Sequence, residues 1–168
     1  MNYLAHALLS PTEPQALMGN IWGDLLRPMD YESLTPGVLS GVVFHKSVDA
    51  FTDQHSEVDQ IIKLIRPFQG KYTPVVVDVL MDFMLSKFWE TFHDKPLEKF
   101  CNDRYKLISK HLDLIPERLH PRIKRMLDNR WLESCVNRER METTLWMLSQ
   151  RASFENNIPK AMQPYDLH

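Results

Sequence analysis

His45, Asp49 and Asp53 recur every four residues in Val43-Phe44-His45-Lys46-Ser47-Val48-Asp49-Ala50-Phe51-Thr52-Asp53-Gln54-His55. Residues four apart share one helix face, so an imidazole and two carboxylates would project in one direction. A second run, Val75 to Leu85, is apolar throughout except for Asp78 and Asp82, again four apart. Asp24 interrupts a third apolar stretch, Ile21-Trp22-Gly23-Asp24-Leu25-Leu26. Burying such groups is costly unless they are paired or bind a cation, and like charges converging in a core demand protonation, basic partners or a metal. Carboxylate oxygens with imidazole nitrogen suit a hard divalent ion, Mn²⁺, Mg²⁺ or Fe²⁺, with zinc also compatible. Such an ion would polarise a phosphoryl oxygen and acidify a bound water. The competing reading is ordinary pairing: Asp24 with Arg27, Asp78 with Lys46, and His45 as a satisfied core histidine. Three separate segments each break an apolar face with a ligand-type side chain, which favours a shared site. His6 either joins that site or belongs to an N-terminal amphipathic stretch.

The elements that must hold these residues are helical. Only 5 glycines and no Asn-Gly or Asp-Gly hairpin signal speak against a β-rich domain. Thr35-Pro36 and Thr73-Pro74 each offer a hydroxyl cap followed by proline at the first helical position. The pattern predicts helices over about 15–26, 36–54, 56–66, 74–92, 97–112 and from Pro121, and one capped by Asn137. Pro67 and Gly70 close the third of these, while Asp53 and His55 shape the end of the second. The expectation is a single all-α domain over residues 1–168, a bundle of about seven helices. The tail after about residue 153, with Pro159 and Pro164, carries no clear pattern.

Composition narrows the class. A net charge of −2 gives no electrostatic case for nucleic acid or an anionic membrane. The chain has no run near the roughly 20 apolar residues of a membrane span. Its start lacks a basic leader, and Cys101 and Cys135 read as small buried hydrophobes, so the expected compartment is cytoplasmic. Ser10, Ser40, Ser47 and Ser86 lack a nucleophile-elbow context, and no phosphate loop or dinucleotide fingerprint occurs. His93, His111, His120 and His168 lie in polar surroundings and are expected at the surface.

The segments Met1-Asn2-Tyr3-Leu4-Ala5-His6, Gly19-Asn20 to Asp24, His45 to Asp53, and Val77-Asp78-Val79-Leu80-Met81-Asp82 through Leu85 to Trp89 resemble the bacterial acyl-carrier-protein phosphodiesterases. These are helical hydrolases regarded as divergent HD-type metal phosphohydrolases. The resemblance implies hydrolysis of the phosphodiester joining 4′-phosphopantetheine to a serine of holo acyl carrier protein, a step of fatty acid and lipid metabolism. It also implies a divalent metal, typically Mn²⁺. Asp24, His45, Asp49, Asp78 and Asp82 fall on the family's polar positions, with His6 near them. The expected catalytic residues are Asp24, His45, Asp49 and Asp82. The expected metal ligands are Asp24, His45, Asp78, Asp82 and His6. The partner implied is a small acidic helical protein, for which Arg118 to Arg125, or Arg138 and Arg140, could form a docking surface. The chain departs from the family pattern in having Phe83 where histidine usually follows the aspartate, Lys46 where arginine is usual, and a proline-containing tail in place of a further helix. Two other functions compete: a phosphohydrolase for a small nucleotide or phosphoester, and a non-catalytic carrier-protein-binding homologue, which Phe83 favours.

Overall fold

The computed structural model describes residues 3–162. Pro164 and His168 lie outside them. Among the described residues nine α-helices and no strand occur: α1 (Tyr3–Leu9), α2 (Pro14–Trp22), α3 (Pro36–Asp53), α4 (Ser56–Gln69), α5 (Thr73–Lys87), α6 (Trp89–Phe92), α7 (Leu97–Lys110), α8 (His120–Asp128) and α9 (Arg138–Arg151). This is the all-α architecture the spacing predicts.

The largest apolar cluster joins α1, α2 and α3 to α7 and α8 through Leu4, Leu17, Ile21, Trp22, Val38, Val42, Phe100, Ile108 and Ile123. A second joins α5 to α9 and the chain beyond it through Val76, Val79, Phe83, Met141, Leu145 and Ile158. The tail segment that the sequence left unplaced is therefore anchored, with Ile158 and Met162 in this cluster.

The contact that positions the site is α2 against α3. A Cβ on Gly19 would lie 2.0 Å from the Val38 carbonyl oxygen, and one on Gly41 would lie 2.2 Å from that of Ala16. Only glycine lets these two backbones touch, and the close crossing sets the C-terminal half of α2 beside the middle of α3.

Several boundaries differ from expectation. Asp24 sits in a 3₁₀ turn, Gly23–Leu25, because α2 ends at Trp22. The helix predicted over 74–92 breaks at Phe88 into α5 and α6. Pro67 lies inside α4 rather than ending it, and the imidazole of His55 accepts from Glu57 N–H as the N-cap. Thr73 is helical and donates its hydroxyl to the Gly70 carbonyl at 2.7 Å, whereas Thr35 accepts from Val38 N–H as the sequence predicts. His93, His111 and His120 are half-buried, not exposed; His120 Nε2 is 2.8 Å from the Ile115 carbonyl and His93 stacks on Trp89. Both cysteines are free and buried, and burial pushes each thiol up to about 12.

Candidate metal centre

His45 lies in the interior of α3, and its register turns the ring inward while Val43 and Phe51 face out. Its ring lies against Gly23, where a Cβ would come within 2.6 Å of the imidazole carbons. Glycine there leaves the space the ring fills. His6, on α1, stacks on His45 with ring centroids 4.1 Å apart and planes at 20°. Both rings are almost wholly buried.

The outer nitrogens of the two rings converge on one carboxylate. Asp49 Oδ1 is 3.1 Å from His6 Nε2, and Asp49 Oδ2 is 3.2 Å from His45 Nε2. Asp24 Oδ1 approaches His45 Nε2 at 3.1 Å from the turn after α2. One ligand atom from each of His6, His45 and Asp49 falls within 4.8 Å of the others, the spacing of groups able to hold a metal ion. Adjacent ligands of a six-coordinate divalent ion with bonds of about 2.1 Å stand about 3 Å apart, so the donor set fits such an ion in chemistry and in spacing. The Asp24 side chain is 74% exposed and that of Asp49 27%, so the cluster opens to solvent through its carboxylates while the rings stay buried.

The electrostatics separate the two rings. Burial, reinforced by the neighbouring His45, holds His6 below the usual histidine range against the opposing pull of Asp49. Burial also disfavours charge on His45, but the hydrogen bond and charge of Asp24 and the charge of Asp49 outweigh it and raise its pKa. The hydrogen bond to His45 in turn lowers the Asp24 carboxyl.

A cleft of about 210 Å³ opens beside the cluster, lined by Asp24, Asp49, Thr52, Asp53, Val58, Ile62, Pro74, Val77 and Asp78. Asp53 thus faces the cleft as well as ending α3. Asp78 reaches it from α5, and burial pushes its carboxyl up, with the charges of Asp53 and Asp49 adding to the shift.

The structure does not bring Asp82 to the cleft wall or to the histidine pair. Its carboxylate, 3% exposed, accepts the main-chain N–H groups of Leu4 at 3.1 Å and Ala5 at 3.3 Å. It caps α1, the helix that carries His6. Burial lifts this carboxyl to about 7, outweighing the two hydrogen bonds that favour the charged form. Phe83, one residue on and about 100° round the helix, points away into the cluster with Met141 and Leu145. The side chains named in the competing reading, and Arg118 of the candidate docking stretch, find other partners. Asp24 meets His45, Lys46 reaches the Tyr31 hydroxyl at 3.3 Å, and Arg118 pairs with Asp30 and bonds the Leu25 carbonyl.

Asn20 is the residue that sequence reasoning passed over. Wholly buried on α2, it bonds both histidines: its side-chain Oδ1 is 3.0 Å from His6 Nδ1, and its main-chain oxygen 2.7 Å from His45 Nδ1. The available signal was an amide in the otherwise apolar run Leu17-Met18-Gly19-Asn20-Ile21-Trp22.

Comparison with known proteins gives the family. The family model described as acyl carrier protein phosphodiesterase matches residues 1–168. This chain belongs to that family. Similar relatives include the acyl carrier protein phosphodiesterase of Enterobacter sp. strain 638, 25% identical over 169 residues, covering all of this chain and 88% of the relative. That of Escherichia coli O139:H28 is 30% identical over 142 residues, covering 83% of this chain and 71% of the relative. No solved structure matches. No helix among the described residues is long and apolar enough to cross a membrane.

Proposed function

We propose that this protein is a divalent-metal-dependent phosphodiesterase that releases 4′-phosphopantetheine from holo acyl carrier protein. The observation that carries the reading is the meeting of His6 Nε2, His45 Nε2 and the Asp49 carboxylate at the mouth of an acidic cleft. Membership of the phosphodiesterase family supports the substrate.

His6, His45 and Asp49 would hold the ion, with Asp24 beside them. A bound Mn²⁺ or Mg²⁺ would supply charge for the phosphoryl oxygens and a more acidic water. Asp24, beside the ion and open to solvent, accepts the proton of the attacking water. As the new P–O bond forms, the bond to the carrier serine oxygen breaks, and that oxygen needs a proton. Asp78 lines the same cleft, and burial favours its protonated form, so it suits the role of donor. Asp82 serves by fixing α1, and Asp53 extends the acidic wall. Because Phe83 is part of the core, the histidine it replaces does not argue for a non-catalytic chain.

The test is incubation of the purified protein with holo carrier protein and Mn²⁺, read by intact mass. Loss of the phosphopantetheine mass is expected, with His45→Ala and Asp49→Ala both silent. Absence of apo product, or full turnover by both variants, would overturn the assignment.

A further inference from the structure

We propose that Asn20 is the positioning residue of this centre, holding both histidines with Nδ1 protonated so that both Nε2 atoms are presented to Asp49. The inference concerns the same site as the proposed metal chemistry, and its hydrogen-bond logic stands without the ion.

The hydrogen-bond pattern leaves one assignment. A main-chain carbonyl only accepts, so the 2.7 Å contact between the Asn20 oxygen and His45 Nδ1 requires an Nδ1–H on His45. For His6 the partner is a side-chain amide, whose orientation must first be fixed. The Asn20 amide nitrogen lies 3.0 Å from the His6 carbonyl oxygen and 2.7 Å from Ser10 Oγ. The carbonyl accepts, and the Ser10 hydroxyl spends its own proton on that same carbonyl at 2.8 Å. Both positions therefore call for the NH₂ group, which leaves Oδ1 facing His6 Nδ1 at 3.0 Å, and that nitrogen must donate. One residue thus fixes two rings, through its side chain for His6 and its main chain for His45.

With both Nδ1 atoms committed, each ring turns its other nitrogen towards a carboxylate about 3.1 Å away. A hydrogen-bonded Nδ1–H is what a metal-binding histidine uses to fix its orientation and raise its basicity. The main-chain half of the device depends on the course of α2, so it survives any substitution at position 20. The side-chain half does not.

That asymmetry gives the test. In ¹⁵N-labelled protein, chelated and then loaded with diamagnetic Zn²⁺, the Nδ1–H protons of His6 and His45 are expected as slowly exchanging downfield signals in both samples. Asn20→Ala should erase the His6 signal and retain that of His45, whereas Asn20→Asp, which keeps an oxygen facing His6 Nδ1, should retain both. Zn²⁺ affinity should fall about 10–100-fold in Asn20→Ala, with partial recovery in Asn20→Asp. The inference is overturned if the unaltered protein lacks either Nδ1–H, or if His6 keeps its signal in Asn20→Ala. Should Asn20→Ala fail to fold, the spectra of the unaltered protein and Asn20→Asp still decide. Failure of the unaltered protein to bind Zn²⁺ would sink the metal reading alone, since the chelated spectra test Asn20 separately.

Discussion

Substituting Gly23 by alanine probes the site without touching a polar group. The new methyl would stand 2.6 Å from both Cγ and Cδ2 of His45 and 3.0 Å from its Cβ. Ordinary carbon contact begins at 3.4 Å, so ring and methyl must separate by 0.8 Å or more. The ring cannot retreat freely, because His6 is stacked on it at 4.1 Å and its Nδ1 is tied to the Asn20 carbonyl. Overpacking of this kind costs about 1–3 kcal/mol of stability. Functionally, a displacement of about 1 Å in a catalytic group can cost about 10²-fold in rate. Gly23→Ala should therefore fold with a modestly lower Tm and lose about 10²-fold in kcat, with weakened metal binding. Turnover of holo carrier protein by intact mass, metal titration and thermal melting together check this. Unchanged kcat and metal affinity in a folded variant would refute the claim that the ring is wedged between Gly23 and His6.

Removing the shared carboxylate in Asp49→Ala should weaken metal binding by at least about 10²-fold, more than loss of an outer partner does, as calorimetric titration would show. Asp82→Ala leaves the buried Leu4 N–H and the partly buried Ala5 N–H without an acceptor and should cost about 2–4 kcal/mol in denaturant unfolding. For pH, the sign follows from a native carboxyl near 7 against an ordinary value of 3.8: folding favours the protonated form. The contribution of Asp82 is therefore complete below about pH 4 and is lost as pH rises towards 7, so the stability difference between the native chain and Asp82→Asn should shift across that window; a difference constant with pH would contradict it. Phe83→His should lower Tm without raising metal affinity, because the position faces Met141 and Leu145; a gain in metal affinity would show that it reaches the site.

Much of the site was legible because helical register is rigid. The four-residue step from His45 to Asp49 fixes which side chains share a face, and Thr35-Pro36 marks where that helix starts. The polar residues against apolar context at Asp24 and Asp78 were likewise sound signals for the cleft. Asp82 carried the same signal for another reason. A buried carboxylate can be satisfied by a cation or by main-chain donors, and one sequence does not distinguish them; here the donors come from a helix 77 residues away. Asn20 escaped notice because its importance lies in which atoms accept, a matter of local geometry. His6 remained ambiguous since nothing in a seven-residue N-terminal helix reveals what it docks against. The direction of Phe83 follows from the 100° step after Asp82 once that residue is known to face α1.

The capping of α1 by a carboxylate on α5 has a consequence for how the centre fails. One of the three converging groups rides on a short helix of seven residues, and elements with few contacts can open below the free energy of global unfolding. The centre can therefore be dismantled by a sub-global opening that peels α1 from α5 while the remaining helices stay protected from hydrogen exchange. A bound ion would act as a clasp on that opening, adding RT ln(1 + [M]/Kd) to the protection of the α1 amides and little elsewhere.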